Sequence, residues 1–251
     1  ILRFNSTGRT SWHLMYDAYA RGPENVWVAG GGPFHWDGAK WTAFLYENRE
    51  PFGSGVIETW ASENAEYACV VGLNRACGYY RKGDREFTKL NIPDQMDCID
   101  LVGFEDGTVY VASGDVSNGI IYKVTPDEKV LEYHRFSGGE PRAIWWQDGD
   151  IHYAKHFEIR RIVDSGNGLV DRYVFEAKQQ FLEEDHDEEN NIYFMLQRGY
   201  FLHWNGSTYK EILIPYPGEF WSHDIDVNGK DVYFVGFGTG QYCVIAHGRQ
   251  I

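Results

Sequence analysis

The chain has 251 residues, of which 43% are hydrophobic, 16% aromatic and 28 are glycine. That is length enough for a sizeable core, in one all-β domain or two smaller ones. The net charge of −14 excludes the clustered cations that duplex nucleic acid or an anionic membrane surface demands, and no apolar run approaches the roughly 20 residues of a membrane span.

Tyr, Trp, Phe and Val suit half-buried pleated surfaces, and glycine punctuates turns, so the bias is towards strands. The segment Asn25–Phe44 reads NVWVAGGGPFHWDGAKWTAF: an apolar alternating run, a break, an aromatic run ending in His-Trp, then Asp-Gly and another aromatic strand. Asn191–Ile212, NIYFMLQRGYFLHWNGSTYKEI, repeats that order. Related apolar strands start at Val26, Tyr67, Val109, Ile151, Ile192 and Val232, at intervals of 41, 42, 42, 41 and 40 residues. Such a period marks an internal repeat.

Each unit divides into four short strands. The first is LMYDAYA, NVWVAGG, PFHWDG and KWTAFLY; the second is VIETWAS, EYACVVG, CGYYRKG and EFTKLNI. The third holds CIDLVGF, TVYVASG, GIIYKVT and KVLEYHRF, the fourth RAIWWQ, DIHYAKH, EIRRIV and LVDRYVFEA, and the fifth FLEEDHD, NIYFMLQ, YFLHWNG and YKEILIP. The sixth supplies WSHDIDV, DVYFVGF and QYCVIAHG and stops, while ILRFN at the start belongs to no unit. A four-stranded meander cannot cover both its faces alone, and packing such sheets radially covers them. The expected fold is therefore all-β: one six-bladed β-propeller over residues 1–251. Its blades span about 12–46, 56–93, 97–137, 141–177, 181–215 and 221–249, with Ile1–Asn5 as the outer strand of the last blade.

The VWVAGG…HWDGAKW rhythm resembles the loosely repeated blades of bacterial six- to eight-bladed propellers. It departs from the regular Gly-His and Trp-Asp pairs of WD40 repeats, from serial kelch double glycines and from the sialidase Asp-box. The resemblance implies a fold and leaves the activity open. Some six-bladed lactonase and phosphotriesterase propellers hold calcium in the channel, so the resemblance also admits calcium as a cofactor.

In a propeller the first strand of each blade lines the axis. Counting nine residues back from each second strand reaches Asp17, Glu58, Asp100, Arg142, Glu183 and His223, all ionisable. Carboxylates gathered near one axis repel unless a cation compensates, so Asp17, Glu58, Asp100 and Glu183 are the candidate metal ligands, with Arg142 and His223 as partial counter-charges. His223 is the candidate general base, with Asp224 or Asp226 to orient it. Trp60 and Trp221, in or beside first strands, are candidates for stacking on sugar rings. The acidic stretch FLEEDHDEENN alternates its side chains across a strand, so Asp185, His186 and Asp187 do not face one ion together. Cys69 and Cys77 would face each other across a hairpin centred on Leu73, as a disulfide or as two reduced core thiols.

No nucleophile elbow or triad order is readable. The expected function is therefore a ligand-binding propeller, carbohydrate-binding or otherwise a recognition module, whose partner is a small molecule, a glycan or another protein. The alternatives are a channel-centred hydrolase or lyase assisted by calcium, and a protein-interaction scaffold. The chain starts at Ile1 rather than Met, and the expected compartment is secreted or periplasmic.

Overall fold

A computed structural model describes residues 16–44, 55–94, 96–186, 191–214, 220–228, 230–238 and 242–249. The first sheet contains β1 (Asp17–Gly22), β2 (Asn25–Ala29), β3 (Phe34–Trp36) and β4 (Trp41–Ala43). The second contains β5 (Val56–Ala61), β6 (Tyr67–Gly72), β7 (Ala76–Arg81) and β8 (Thr88–Lys89). Then follow β9 (Asp97–Gly103), β10 (Val109–Gly114), β11 (Asn118–Val124) and β12 (Val130–Ser137). The fourth sheet is β13 (Pro141–Gln147), β14 (Asp150–Lys155), β15 (Glu158–Asp164) and β16 (Leu169–Glu176). The fifth is β17 (Phe181–His186), β18 (Ile192–Leu196), β19 (Tyr200–Trp204) and β20 (Tyr209–Leu213), and the sixth is β21 (Phe220–Asn228), β22 (Asp231–Gly238) and β23 (Tyr242–Arg249).

Every sheet is a meander in which neighbours in sequence are neighbours in space, and the fold class is the six-bladed β-propeller. The last sheet has three strands among the described residues; Ile1–Asn5, expected to supply its fourth, lie outside them. The helical content among the described residues is one 3₁₀ turn, Gln197–Gly199, and no helix there is long and apolar enough to cross a membrane.

By compactness the chain divides into two units, one of residues 1–98, 103–108 and 125–128, the other of residues 99–102, 109–124 and 129–251. In the first, Trp27, Phe44, Val56, Val70 and Phe87 bury one continuous core between the first two sheets. The Trp60 ring lies where a side chain at position 103 would project, so only glycine fits there. In the second, Trp145, Ile159, Phe181, Phe194 and Leu202 join the fourth sheet to the fifth, and Met195, Phe201, Ile225 and Phe234 join the fifth to the sixth. At each of these junctions the apolar face of one sheet is covered by the next sheet.

The repeated sequence has a physical cause. Trp27 on β2 lies opposite His35 on β3, and the rings stack at 4.2 Å. Two residues before the Trp, on the same face of the strand, Asn25 Oδ1 accepts from Trp27 Nε1 at 2.9 Å and contacts His35 Nε2 at 3.1 Å. The same triad recurs as Asn191, Tyr193 and His203, with a 4.4 Å stack and a 3.2 Å hydrogen bond. It recurs again as Asp231, Tyr233 and His247, with a 4.8 Å stack and a 2.8 Å bond. In the fourth blade the positions are Asp150, His152 and Arg161. Asn25 also donates to Ser62 O at 3.2 Å and Glu63 O at 3.0 Å, tying the first blade to the second. The residue after each His-Trp pair closes the turn: Asp37 Oδ1 accepts from the amides of Ala39 and Lys40 at 3.0 and 2.9 Å, and Asn205 Oδ1 from those of Ser207 and Thr208 at 3.1 and 2.9 Å. Gly38 and Gly206, at φ 90° and 84°, supply the left-handed step.

The Cys69 hairpin differs from expectation by one register step. Gly72 pairs with Ala76 across a three-residue turn, with Asn74 and Arg75 at φ 55° and 63°, so Cys69 faces Tyr79 and Cys77 faces Val71. The two cysteines are diagonal rather than opposed, because the turn is centred on Asn74 and not on Leu73. Cys69, Cys77 and Cys98 are buried, reduced thiols, and the hydrogen bond with Cys69 leads the causes that push the Cys77 thiol up.

Two measurements test this account. Asn25→Ala removes acceptors from a buried indole and imidazole and donors from two carbonyls. Urea unfolding should show a loss of roughly 3 kcal/mol, with Asn191→Ala losing less for its smaller network. His152 is 5% exposed, and burial is the main cause that lowers its pKa to about 4 from 6.5. Between those values the unfolded chain binds a proton that the folded chain refuses, so stability rises with pH across the window and is lost on acidification. His152→Gln should flatten that slope, by about 3 kcal/mol between pH 7 and pH 4, in denaturant melts compared across pH.

Candidate functional site

The first strands carry most of the residues singled out in the sequence, and a recurring β-bulge sets where each one falls. Ile57 in β5, Arg142 in β13, Leu182 in β17 and His223 in β21 are the unpaired residues at four bulges. The nine-residue count therefore reaches the bulge at Arg142 and His223. At Glu58 and Glu183 it reaches the next residue, which pairs with Val71 or Met195. First-to-second-strand turns of unequal length shift the count by one residue between blades.

Asp17 and Asp100 bind backbone. Asp17 Oδ2 accepts the Thr59 amide at 2.9 Å, and Asp100 Oδ2 accepts the Ile144 amide at 2.6 Å. Asp185, not selected by the count, does the same with the Val227 amide at 2.7 Å. In each case the carboxylate of one first strand holds the first strand of the following blade, 42 to 44 residues on. Glu58 is half-buried, and Trp60 is 4% exposed with its ring over Gly103. Trp221 pairs with Phe237 through the backbone of β21. Among the described residues, no three of His, Cys, Asp and Glu come together as a metal site.

A different surface emerges in the second unit, where second-to-third-strand hairpins meet the segments that cross between blades. The β10–β11 turn presents Val116, 82% exposed, while Asp115 Oδ1 holds the turn through the amides of Ser117 and Asn118 at 2.7 and 2.9 Å. The β14–β15 turn presents Phe157, 43% exposed, next to His156 at φ 45°. Both turns touch the crossover dipeptide Gly138–Gly139: Gly138 N donates to Ser117 O at 2.9 Å, and the His156 ring occupies the space a Cβ on Gly139 would need. The next crossover repeats the arrangement, since Phe181 N donates to His156 O at 2.8 Å and Gln197 N to Gln180 O at 2.9 Å. Arg198, at φ 62°, caps that turn. Left-handed backbone at His156 and Arg198 thus lies on the turns of this face, which displays Val116 and Phe157.

At the base of this face lies Arg142. The bulge turns it out of the ladder, and its guanidinium, 31% exposed, pairs with Glu140, while Nε has no hydrogen-bond partner. The sequence pattern marked Arg142 but passed over Val116, Phe157 and Glu140. An apolar residue set between turn formers, as in GDVSNG, was the available signal.

No family model matches the chain, and no curated protein matches its sequence. Solved structures do. A streptogramin B lyase structure aligns over 94% of this chain and 83% of its own, with a TM-score of 0.71 at 15% identity. YCF48 bound to D1 peptide aligns over 91% and 75%, at TM-score 0.63 and 14% identity, and the WD40 repeats of RRP9 over 91% and 75%, at 0.68 and 11%. At these identities the likeness establishes the propeller fold.

The carboxylate tethers give a direct test. Asp100→Ala orphans the Ile144 amide and should lower stability by about 1–3 kcal/mol in guanidinium unfolding, whereas Asp100→Asn, which keeps an acceptor oxygen, should lose less.

Proposed function

We propose that the protein is a recognition module that binds a peptide segment of a partner protein on the face formed by the Val116 and Phe157 turns and the Gly138–Gly139 crossover. The observation that carries this reading is the display of two apolar side chains, 82% and 43% exposed, on turns locked from beneath by hydrogen bonds and by contact with one glycine pair. A preorganised apolar contact loses little conformational entropy on binding. A structure sharing the fold, YCF48 bound to D1 peptide, supports peptide recognition as a use for such a scaffold.

The glycan reading draws on aromatic rings open to solvent, of which Trp146 at 42% and Tyr173 at 56% are examples. The large rings of Trp27 and Trp145 pack in the core instead. The lyase reading draws on Arg142 and His223 and on the fold shared with a streptogramin B lyase. Recognition of a peptide uses more of what the described surface presents.

The test is an array of N-acetylated, C-amidated hexapeptides, run beside a glycan array on the same protein. Val116→Asp and Phe157→Ser should each weaken peptide binding about tenfold or more, with melting changed by no more than about 0.5 kcal/mol, as for surface sites. Peptide binding indifferent to both substitutions, or hits confined to glycans, would overturn the proposal.

A further inference from the structure

We infer that this face selects an acidic peptide, and that Glu140 is a built-in competitor occupying the place of the peptide carboxylate on Arg142. The inference rests on the recognition face proposed above and names its partner.

A guanidinium carries five donors and suits a bidentate carboxylate. In Arg142 one terminal nitrogen meets Glu140, while Nε is shielded from solvent and meets no acceptor, so a ligand carboxylate must reach the terminal nitrogens. The side chain is held at the face by the bulge between Pro141 and Ala143 and remains 31% exposed. Glu140 follows directly on Gly138 and Gly139, at φ 83° and 125°, a pair with wide conformational freedom. Ion pairs at this exposure are weak, so an incoming carboxylate can compete with Glu140 for Arg142.

The surroundings permit an anion although the chain as a whole is strongly acidic. Beside the crossover, Glu140 pairs with Arg142, and Glu158 with Lys155 and Arg160. Lys155 is engaged beneath the surface, its Nζ donating to Ser137 O at 2.8 Å. Arg142 therefore stands as a partly exposed cation whose ion pair is with Glu140. At physiological salt the rest of the −14 charge is screened over about 8 Å. Val116 and Phe157 supply the apolar half of the recognition, so the fitting ligand is a short segment with Asp or Glu close to a Leu- or Phe-like side chain.

A competitor predicts effects of opposite sign from the two members of one ion pair. Hexapeptides bearing one Leu or Phe beside Glu should bind about tenfold tighter than their Gln twins, measured by fluorescence anisotropy with the full chain. Arg142→Gln should erase that ratio. Glu140→Gln should tighten the Glu peptides by about three- to tenfold, because the internal rival is gone. If Glu and Gln twins bind alike while Val116→Asp still abolishes binding, the recognition face stands and the acidic preference falls. If both Arg142→Gln and Glu140→Gln weaken binding, the pair is a structural brace and the competitor is refuted. If no hexapeptide binds, both readings fail.

Discussion

A lone meander of about 40 residues leaves an apolar face in water, and within each compact unit neighbouring sheets cover such faces. Every other feature answers that constraint. Trp27, Phe44 and Phe87 meet between the first two sheets, and Trp145, Phe181 and Phe194 between the fourth and fifth. Close approach is enforced where a ring needs room, as at Gly103 beneath Trp60. The carboxylates of Asp17, Asp100 and Asp185 then hold one first strand to the next through backbone amides, adding direction to contacts that are otherwise only apolar.

Within a blade, register is set by the stack of an aromatic on a facing histidine, anchored by an amide or carboxylate two residues earlier. A slip of one residue would send both rings to the opposite face and leave the anchor without its partner. The motif tolerates substitution in kind. Lys123 lies 5.8 Å from the Tyr110 ring in the third blade, and Arg161 faces His152 in the fourth. What persists is an aromatic or imidazole ring beside a group able to carry positive charge. Several of the histidines are thus part of the framework, and for His35 and His152 burial is the leading cause that lowers the pKa, favouring the neutral ring.

Such a framework leaves one set of loops free to differ. The turns bearing Val116 and Phe157 end on apolar residues, while the turn at Leu73–Arg75 has two non-glycine residues in the left-handed region. Rigid strands hold these turns, and hydrogen bonds from the crossovers brace them. Fixed contacts of this kind suit the recognition proposed above, since they lose little conformational entropy on binding, and Arg142 pairs with Glu140 beside them.

The amino-acid order alone determined the class, the number of repeats and most strands, because an apolar strand recurs six times at intervals of 40 to 42 residues, and the first and fifth units share an Asn, an aromatic two residues on, a His-Trp pair and an Asx-Gly turn. It also marked Arg142 as unusual. The tertiary structure decided where the charges went. Nothing local in Asp17 or Asp100 announces that its acceptor oxygen meets an amide some 42 or 44 residues away, since every backbone N–H looks alike in sequence. The bulges at Ile57, Arg142, Leu182 and His223 were equally hidden: one extra residue leaves the composition unchanged but reverses which side of the strand follows. Periodic burial is written residue by residue, whereas a site depends on which distant groups the packing of neighbouring sheets brings within reach.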